Sequence, residues 1–471
     1  MRQFLSEDEL ERIDAAGRHI LETVGIRILE PDVLGRLQDS GVEVDSTEGR
    51  ARFSGNWIDE RLAAAPPQFT LFSRDGENDL QLGSGQVYFG NGGRVFQILD
   101  LATGGFRPTL LRDVANTAAL VDRLEHIRFY IIACQAYDLA AADYHLNDFY
   151  QAFLHTSKHV MGGVDSLSGA RQMVELAEAV AGGKAQLAER PFVSVMTNPI
   201  SPLTIDAESL RILAFLGSRG IPTTCAPAPI AGATAPATLA GTLAQLHAEA
   251  LAGAAMVQFL TPGAPVMYGS VPMTMDLRTM DLAVGSVETA ILNTCCVALA
   301  HRYRLPIYAT AGLTDAKLPD IQAGFEKGVS NLLLARAGAD FIHLAAGMLD
   351  SGNSISYEQY VIDNEIIGMV ERFLRGVAIT SETLALDCIE KVGPGGNYVT
   401  EEHTVNHMFS EFFYPKLAIR EQYDRWTGRG EPTPLTRAQA VVDEALDGHG
   451  HRLEPDLIDR LHNRFPRIVE I

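Results

Sequence analysis

"CAPAPIAGATAPATLAGTLAQ", residues 225–245, holds three prolines, two glycines and no charge, and runs without a break into helix-forming sequence. A short β-prone run, "PTT" at 222–224, leads into it. Stiff, uncharged backbone between a strand and a helix belongs at the rim of a barrel, where the chain turns from a strand's carboxyl end into the helix packed outside it. The same unit recurs along the chain. Short β-rich runs fall at 87–93, 128–136, 158–164, 192–198, 222–229, 265–271, 306–312 and 339–347. Between them lie stretches such as "LSGARQMVELAEAVAGG" and "SVETAILNTCCVALAHRYR", which carry the 3.6-residue period of helices. Eight strands, each followed by a helix, is the count of a closed (β/α)8 TIM barrel. A doubly wound open sheet also alternates, but no GxGxxG follows an early strand here.

The barrel is expected over 86–375. Ahead of it, "SEDELERIDAAGRHILETVG" has a Ser cap with Glu three residues on and ends at Gly25, which reads as a helix. Helical spacing returns over 32–39, and short strand-like pieces with Gly-rich turns follow, so 1–85 reads as a helical and β cap. Residues 376–471 read as a helical extension packed on the barrel, ending in a charged pair of surface helices. "GPGGNY" at 393–398 lacks the GK[ST] ending of a phosphate loop and reads as a turn.

Composition narrows the function. The 471 residues carry a net charge of −21, which argues against nucleic acid and favours a cationic ligand or a basic partner. The five cysteines form no CxxC pair and read as buried thiols in a reducing compartment. The N-terminus is acidic and amphipathic, unlike a signal peptide, and no apolar run approaches the roughly 18–20 residues that span a bilayer. A cytoplasmic protein without membrane contact is expected. Oligomeric state is invisible at this level, although barrels with helical caps often associate.

In a barrel, reactive groups come from strand carboxyl ends and the loops after them. Those positions offer Tyr88, Phe89, Asn91, Arg94, Tyr137 and Asp138, then Tyr268, Ser270, Asp276 and Asp281. The last strands add Tyr308, Thr310, Asp315, Lys317, Asp320, His343 and Asp350. The mouth is aromatic and carboxylate-rich, which suits a small cation, because ring faces attract ammonium groups. A single Tyr at a strand end more often packs the rim than binds a ligand. Along "ADFIHLAAG", alternation puts Phe341 and His343 on one face and Ile342 and Leu344 on the other, so His343 is placed either in the lumen or in the core. His403 and His407 share a helix face, but "HTVNH" lacks the Glu of HExxH and an evident third ligand, so no directly bound metal is expected. No GxSxG occurs, and no nucleophile motif supports a triad.

Four separated stretches carry a family. "PAPIAGATAPATLAGTLAQLHAEALAG" (227–253), "PGAPVMYGSVPMTMDLRTMDLAVGSVE" (262–288), "GLTDAKLPDIQAGFEKG" (312–328) and "GGNYVTEEHTVNHMFSEFFYPKL" (395–417) together resemble the trimethylamine–corrinoid protein methyltransferases. The resemblance runs to about Trp426 and implies a barrel that moves a methyl group from an amine to a corrinoid (cobalamin) held by a partner protein. Archaeal trimethylamine enzymes of this family carry pyrrolysine; this chain has only the twenty ordinary residues, so it resembles the non-pyrrolysine branch acting on quaternary amines such as glycine betaine. On that resemblance, Tyr88, Phe89, Tyr268 and Tyr308 are the candidate cage for a small methylated amine, and His343 is placed to hold the substrate's polar end. Asp276 and Asp315 would balance ammonium charge or anchor loops. Lys317 lies where the pyrrolysine equivalent would be sought, or pairs with Asp315 or Asp320. Gly232 and Ala233, in the small-residue loop, would leave room for the corrinoid protein to dock. Two rival readings are a barrel lyase or isomerase using Lys317 or His343 as base, and an osmolyte-binding relative that has lost transfer.

Overall fold

The computed structural model describes residues 4–101, 103–447 and 450–471. Eight parallel strands close into a barrel in chain order: β1 (Tyr88–Asn91), β2 (Phe129–Ile131), β3 (His159–Gly163), β4 (Val193–Thr197), β5 (Thr223–Cys225), β6 (Val266–Gly269), β7 (Ile307–Thr310) and β8 (Phe341–Ala346). Closure comes from β8 pairing with β1, Phe341 opposite Tyr88 and Ile342 opposite Phe89. Each strand falls within one of the eight β-rich runs. The main outer helices are α1 (Leu111–Arg123), α2 (Tyr144–His155), α3 (Leu167–Ala181), α4 (Ala207–Gly217), α5 (Leu239–Leu260), α6 (Val287–Arg302), α7 (Ile321–Ala337) and α8 (Tyr357–Arg375).

The pleat divides the core in two. Phe129, Ile131, Met161, Met267, Tyr308 and Phe341 fill the lumen. Their strand neighbours Tyr130, Val160, Val266, Tyr268, Ile307 and Ile342 belong to the shell between strands and helices. Both faces of a parallel barrel strand are apolar for this reason.

The N-terminal segment closes one end. A hairpin, Phe69–Leu71 with Leu80–Leu82, inserts the fully buried Leu71, Leu80 and Leu82 beneath Phe129 and Phe341. The hairpin is pinned by Asp340, just before β8, whose carboxylate accepts the Gly83 N–H at 2.8 Å and the Ile307 N–H at 3.0 Å. The first helix, Glu7–Thr23, has a capping box between Ser6 and Glu9 and lies along α5. It is held there by Asp14, which is 2.9 Å from Nε2 of the buried His247.

Beyond α8 the chain behaves in two ways. It turns out through Gly376 (φ +66°), and no residue from 376 to 410 is buried, although the stretch forms helices at Ser381–Leu384, Leu386–Val392 and Glu402–Glu411. It returns at Lys416, Leu417 and Ala418, whose backbone N–H groups donate to the Glu365 carboxylate at 2.6–2.7 Å. Helices Pro434–Leu446 and Pro455–Arg464 then lie against the barrel helices. Packing of the extension on the barrel is thus confined to its second part.

Candidate active site

β7 and β8 are neighbours, with Tyr308 opposite Phe341 and Thr310 opposite His343. The register sends all four side chains into the lumen, two levels apart. The rings form a column: Phe129 stacks on Phe341 at 3.6 Å, Phe341 on Tyr308 at 5.6 Å, and Tyr308 on His343 at 3.8 Å between centroids. His343 is two residues further along β8 than Phe341, about 6.6 Å nearer the mouth at ~3.3 Å per residue.

Both ring nitrogens of His343 are occupied. Nδ1 is 2.9 Å from the Tyr308 hydroxyl and Nε2 is 2.7 Å from Thr310 Oγ1, which in turn lies 3.2 Å from the Ser270 carbonyl. Burial pushes the imidazole well below its ordinary pKa, so it is neutral and carries one N–H. The arrangement that serves every strong acceptor runs one way: Tyr308 O–H donates to Nδ1, Nε2–H donates to Thr310, and Thr310 donates to the Ser270 carbonyl. The Tyr308 hydroxyl also lies 2.9 Å from the Met196 sulfur. Burial raises the Tyr308 pKa well above its ordinary value, so it keeps its proton.

Above this column the pleat turns Gly163 inward at the end of β3, and a Cβ there would meet no atom within 4 Å. Gly269, at the end of β6, is small because a Cβ would fall 2.3 Å from the Cys225 carbonyl oxygen on β5. Gly90 is small for a different reason: a Cβ there would fall 1.9 Å from the Phe129 ring, so the missing side chain is the seat of the column's base. Two small sheets wall the opening. One joins the loops after β1 and β8 (Gln97–Asp100, Gly105–Pro108, Met348–Leu349, Ser354–Ile355), the other those after β5 and β6 (Ile230–Ala231, Met273–Asp276, Asp281–Leu282). The proline-rich opening stretch therefore forms part of the second wall before entering α5.

Charge gathers beside the mouth. Arg94, after β1, donates to Asp148 on α2 at 2.7 Å, lies 3.4 Å from Asp165 after β3, and covers the Tyr144 ring at 4.7 Å. Asp148 is fully buried, and burial pushes its carboxyl up to about 7 against the pull of Arg94. Asp165 accepts from the Tyr144 hydroxyl at 2.7 Å and is held low by His145, Tyr144 and Arg94. Asp148 and Asp165 escaped the sequence reading because they lie far from Arg94 along the chain. The trace in the sequence is that His145, Asn147, Asp148 and Gln151 interrupt the apolar positions of α2, and the structure buries all four.

The residues expected at the site separate. Tyr308 and His343 meet in the lumen. Phe89 and Tyr268 do not belong to a cage: strand parity turns both into the shell, where the Tyr268 hydroxyl is 2.9 Å from His247 Nδ1 and braces the first helix. Tyr88 points to the plugged end, its hydroxyl accepting the Gln81 N–H at 3.2 Å. Asp276 sits on the rim, bound to Arg278 at 2.6 Å. Asp315 anchors loops: it accepts the Val284 and Gly285 N–H groups, each at 3.1 Å, and the Ser351 hydroxyl at 2.8 Å. Lys317 is exposed and pairs with Asp350 at 2.8 Å rather than with Asp315 or Asp320, although its ammonium also donates to the Asp315 carbonyl at 3.0 Å. Gly232 has φ +90° beside Leu277, and Ala233 follows in the same rim turn. His403 and His407 face each other at 4.3 Å, outside the barrel.

Comparison with known proteins agrees with this architecture. The chain is 32% identical over 453 residues to trimethylamine methyltransferase MttB of Desulfitobacterium hafniense (strain DSM 10664 / DCB-2), covering 96% of this chain and 91% of that protein. It is 33% identical over 426 residues to the glycine betaine methyltransferase of D. hafniense (strain Y51), covering 90% and 88%. In fold it is similar to the crystal structure of the Methanosarcina barkeri monomethylamine methyltransferase, with a TM-score of 0.57 at 14% identity over 97% of this chain and 88% of that one. The family described as trimethylamine methyltransferase (MTTB) matches residues 1–465, and the chain belongs to that family.

Proposed function

We propose that this methyltransferase takes a methyl group from a quaternary amine of the glycine betaine type and passes it to a corrinoid carried by a separate protein. The observation that carries this reading is the neutrality of the upper lumen: Tyr308 keeps its proton, His343 has none to spare, and the Arg94 guanidinium, after β1, is held by two carboxylates. A cation entering such a site meets ring π-density and the polarizable sulfur of Met196, and no opposing charge. His343, with both nitrogens engaged, orients Tyr308 rather than binding a carboxylate.

A quaternary ammonium needs no general acid. When its C–N bond breaks, nitrogen keeps the electron pair and leaves as a neutral tertiary amine. The corrinoid supplies the nucleophile, and the protein's part is to fix the ammonium at the top of the column and exclude water. The inward-facing Gly163, whose missing Cβ would meet nothing within 4 Å, fits that need. The lyase reading loses both its bases, since Lys317 is tied to Asp350 on the rim and His343 is a neutral link in a closed hydrogen-bond chain.

Calorimetric titration with glycine betaine, choline, carnitine and trimethylamine, at one pH and salt, tests the substrate class. Saturable binding of a quaternary amine and not of trimethylamine is expected; the reverse order overturns the reading. Tyr308→Phe breaks the head of the chain and leaves His343 Nδ1 unpaired, so kcat/KM should fall about tenfold, equivalent to ~1.4 kcal/mol.

A further inference from the structure

A betaine brings a carboxylate as well as an ammonium, and the groups described so far leave that carboxylate without an anchor. His343 is committed to Tyr308 and Thr310. Lys317 is tied to Asp350 on the rim, and Arg94 to Asp148 and Asp165. A cationic anchor would also work against itself. The carboxylate of glycine betaine is one methylene away from its ammonium, so a positive charge that attracts one end repels the other. The substrate calls for a neutral donor with a free N–H, facing the lumen near the top of the column.

β4 supplies one. Met196 packs against the lumen residues, with its sulfur 2.9 Å from the Tyr308 hydroxyl. Thr197 is buried opposite Cys225, a residue of the shell. Strand alternation then returns Asn198 to the lumen side, about 6.6 Å beyond Met196 toward the opening at ~3.3 Å per residue. The residue ahead of a proline is held in extended backbone, and Pro199 follows, so the alternation carries through Asn198. Asn198 is exposed between two buried neighbours, Thr197 and Pro199, and its amide has no hydrogen-bond partner among the described residues. The wall beside it is small. Gly163 lies opposite Met196 on β3, where a Cβ would meet nothing within 4 Å, and Ala226 stands on the β5 side.

We propose that Asn198 determines the specificity of the site: its side-chain N–H donates to the carboxylate of a betaine whose ammonium rests against Tyr308 and Met196. This rests on the function proposed above and narrows it to carboxylate-bearing quaternary amines. The amide is held ready for that contact. Its backbone is fixed on one side by Thr197, whose carbonyl accepts the Ala226 N–H at 2.8 Å, and on the other by the buried Pro199. Few side-chain torsions remain to be ordered when a ligand arrives, so little affinity is lost to that ordering. The space left by Gly163 takes the acid end, which draws it to the β3–β4 wall and leaves a methyl on nitrogen toward the opening. Choline offers the same ammonium, but its hydroxyl makes only a neutral hydrogen bond, which is weaker than one to a carboxylate.

Calorimetric titration of the full chain with glycine betaine and with choline tests this, on the wild type, Asn198→Ala and Asn198→Asp. The wild type should bind glycine betaine more tightly than choline. Asn198→Ala should weaken glycine betaine about 10- to 100-fold and choline by less than about threefold. Asn198→Asp opposes the carboxylate and accepts the choline hydroxyl, so it should reverse the order of the two ligands. Both variants should keep the wild-type melting temperature, since the side chain is exposed and unbonded. Unchanged glycine betaine affinity in Asn198→Ala overturns the proposal, as does an equal loss of both ligands, and the function proposed above survives either result. A wild type that prefers choline also overturns it while remaining a binder of quaternary amines. A wild type that binds neither ligand overturns the function itself, and this proposal with it.

Discussion

Gly90 shows how much one missing side chain sets in this lumen. Phe129 occupies the space of its absent Cβ and is itself clamped by Phe341 at 3.6 Å, so it has no room to withdraw. Gly90→Ala should lower stability by about 1–3 kcal/mol, read as a drop in Tm, and should tilt the column beneath His343. Asp148 supports a prediction of a different kind. Its pKa is raised to about 7 in the folded protein from an ordinary 3.8, so the native state holds a proton that the unfolded chain releases. Stability from this group therefore falls as pH rises from about 4 to about 7, by at most ~1.4 kcal/mol per unit. Asp148→Asn should gain on the wild type over that interval, measured as the difference between their melting temperatures at each pH. Neither residue was marked in the sequence, because Gly90 looked like any loop glycine and Asp148 acquires its meaning only when α2 brings it to Arg94. His343 was legible as far as its face, and no further: alternation within β8 pairs it with Phe341, but its hydrogen-bonded partners come from β7.

At the scale of elements, the mouth is held from behind by a buried ion pair. Lys327 on α7 and Asp363 on α8 are 2.9 Å apart and fully buried; Lys327 also donates to the Gly312 carbonyl, and Asp363 accepts the Gly347 N–H. Those two glycines, with φ of +72° and +89°, are the turns that lead β7 and β8 into their loops. Lys327→Met strands a buried carboxylate and should cost about 3–5 kcal/mol, whereas Lys327→Met with Asp363→Leu should recover much of it in chemical denaturation. The strands were readable as apolar runs bounded by turns, and the eight-fold rhythm made closure the economical reading. Which residues of each strand face inward was not readable, because lumen and shell are equally apolar. Phe89 and Tyr268 were assigned to the lumen for that reason and lie outside it.

For the whole molecule, apolar helical pattern from 376 onward reads as packing on the barrel, and the sequence does not distinguish 376–410, where no residue is buried, from the stretch after Lys416 that does pack. The plug of Leu71, Leu80 and Leu82 carries a kinetic consequence. A barrel closed beneath by these leucines and filled by the aromatic column above them has one doorway, and on the function proposed above two reactants must share it. The amine has to be seated before the corrinoid protein covers the opening, and the spent amine waits until that protein departs. Turnover should thus follow a compulsory order, with excess corrinoid protein inhibiting competitively against the amine in initial-rate measurements.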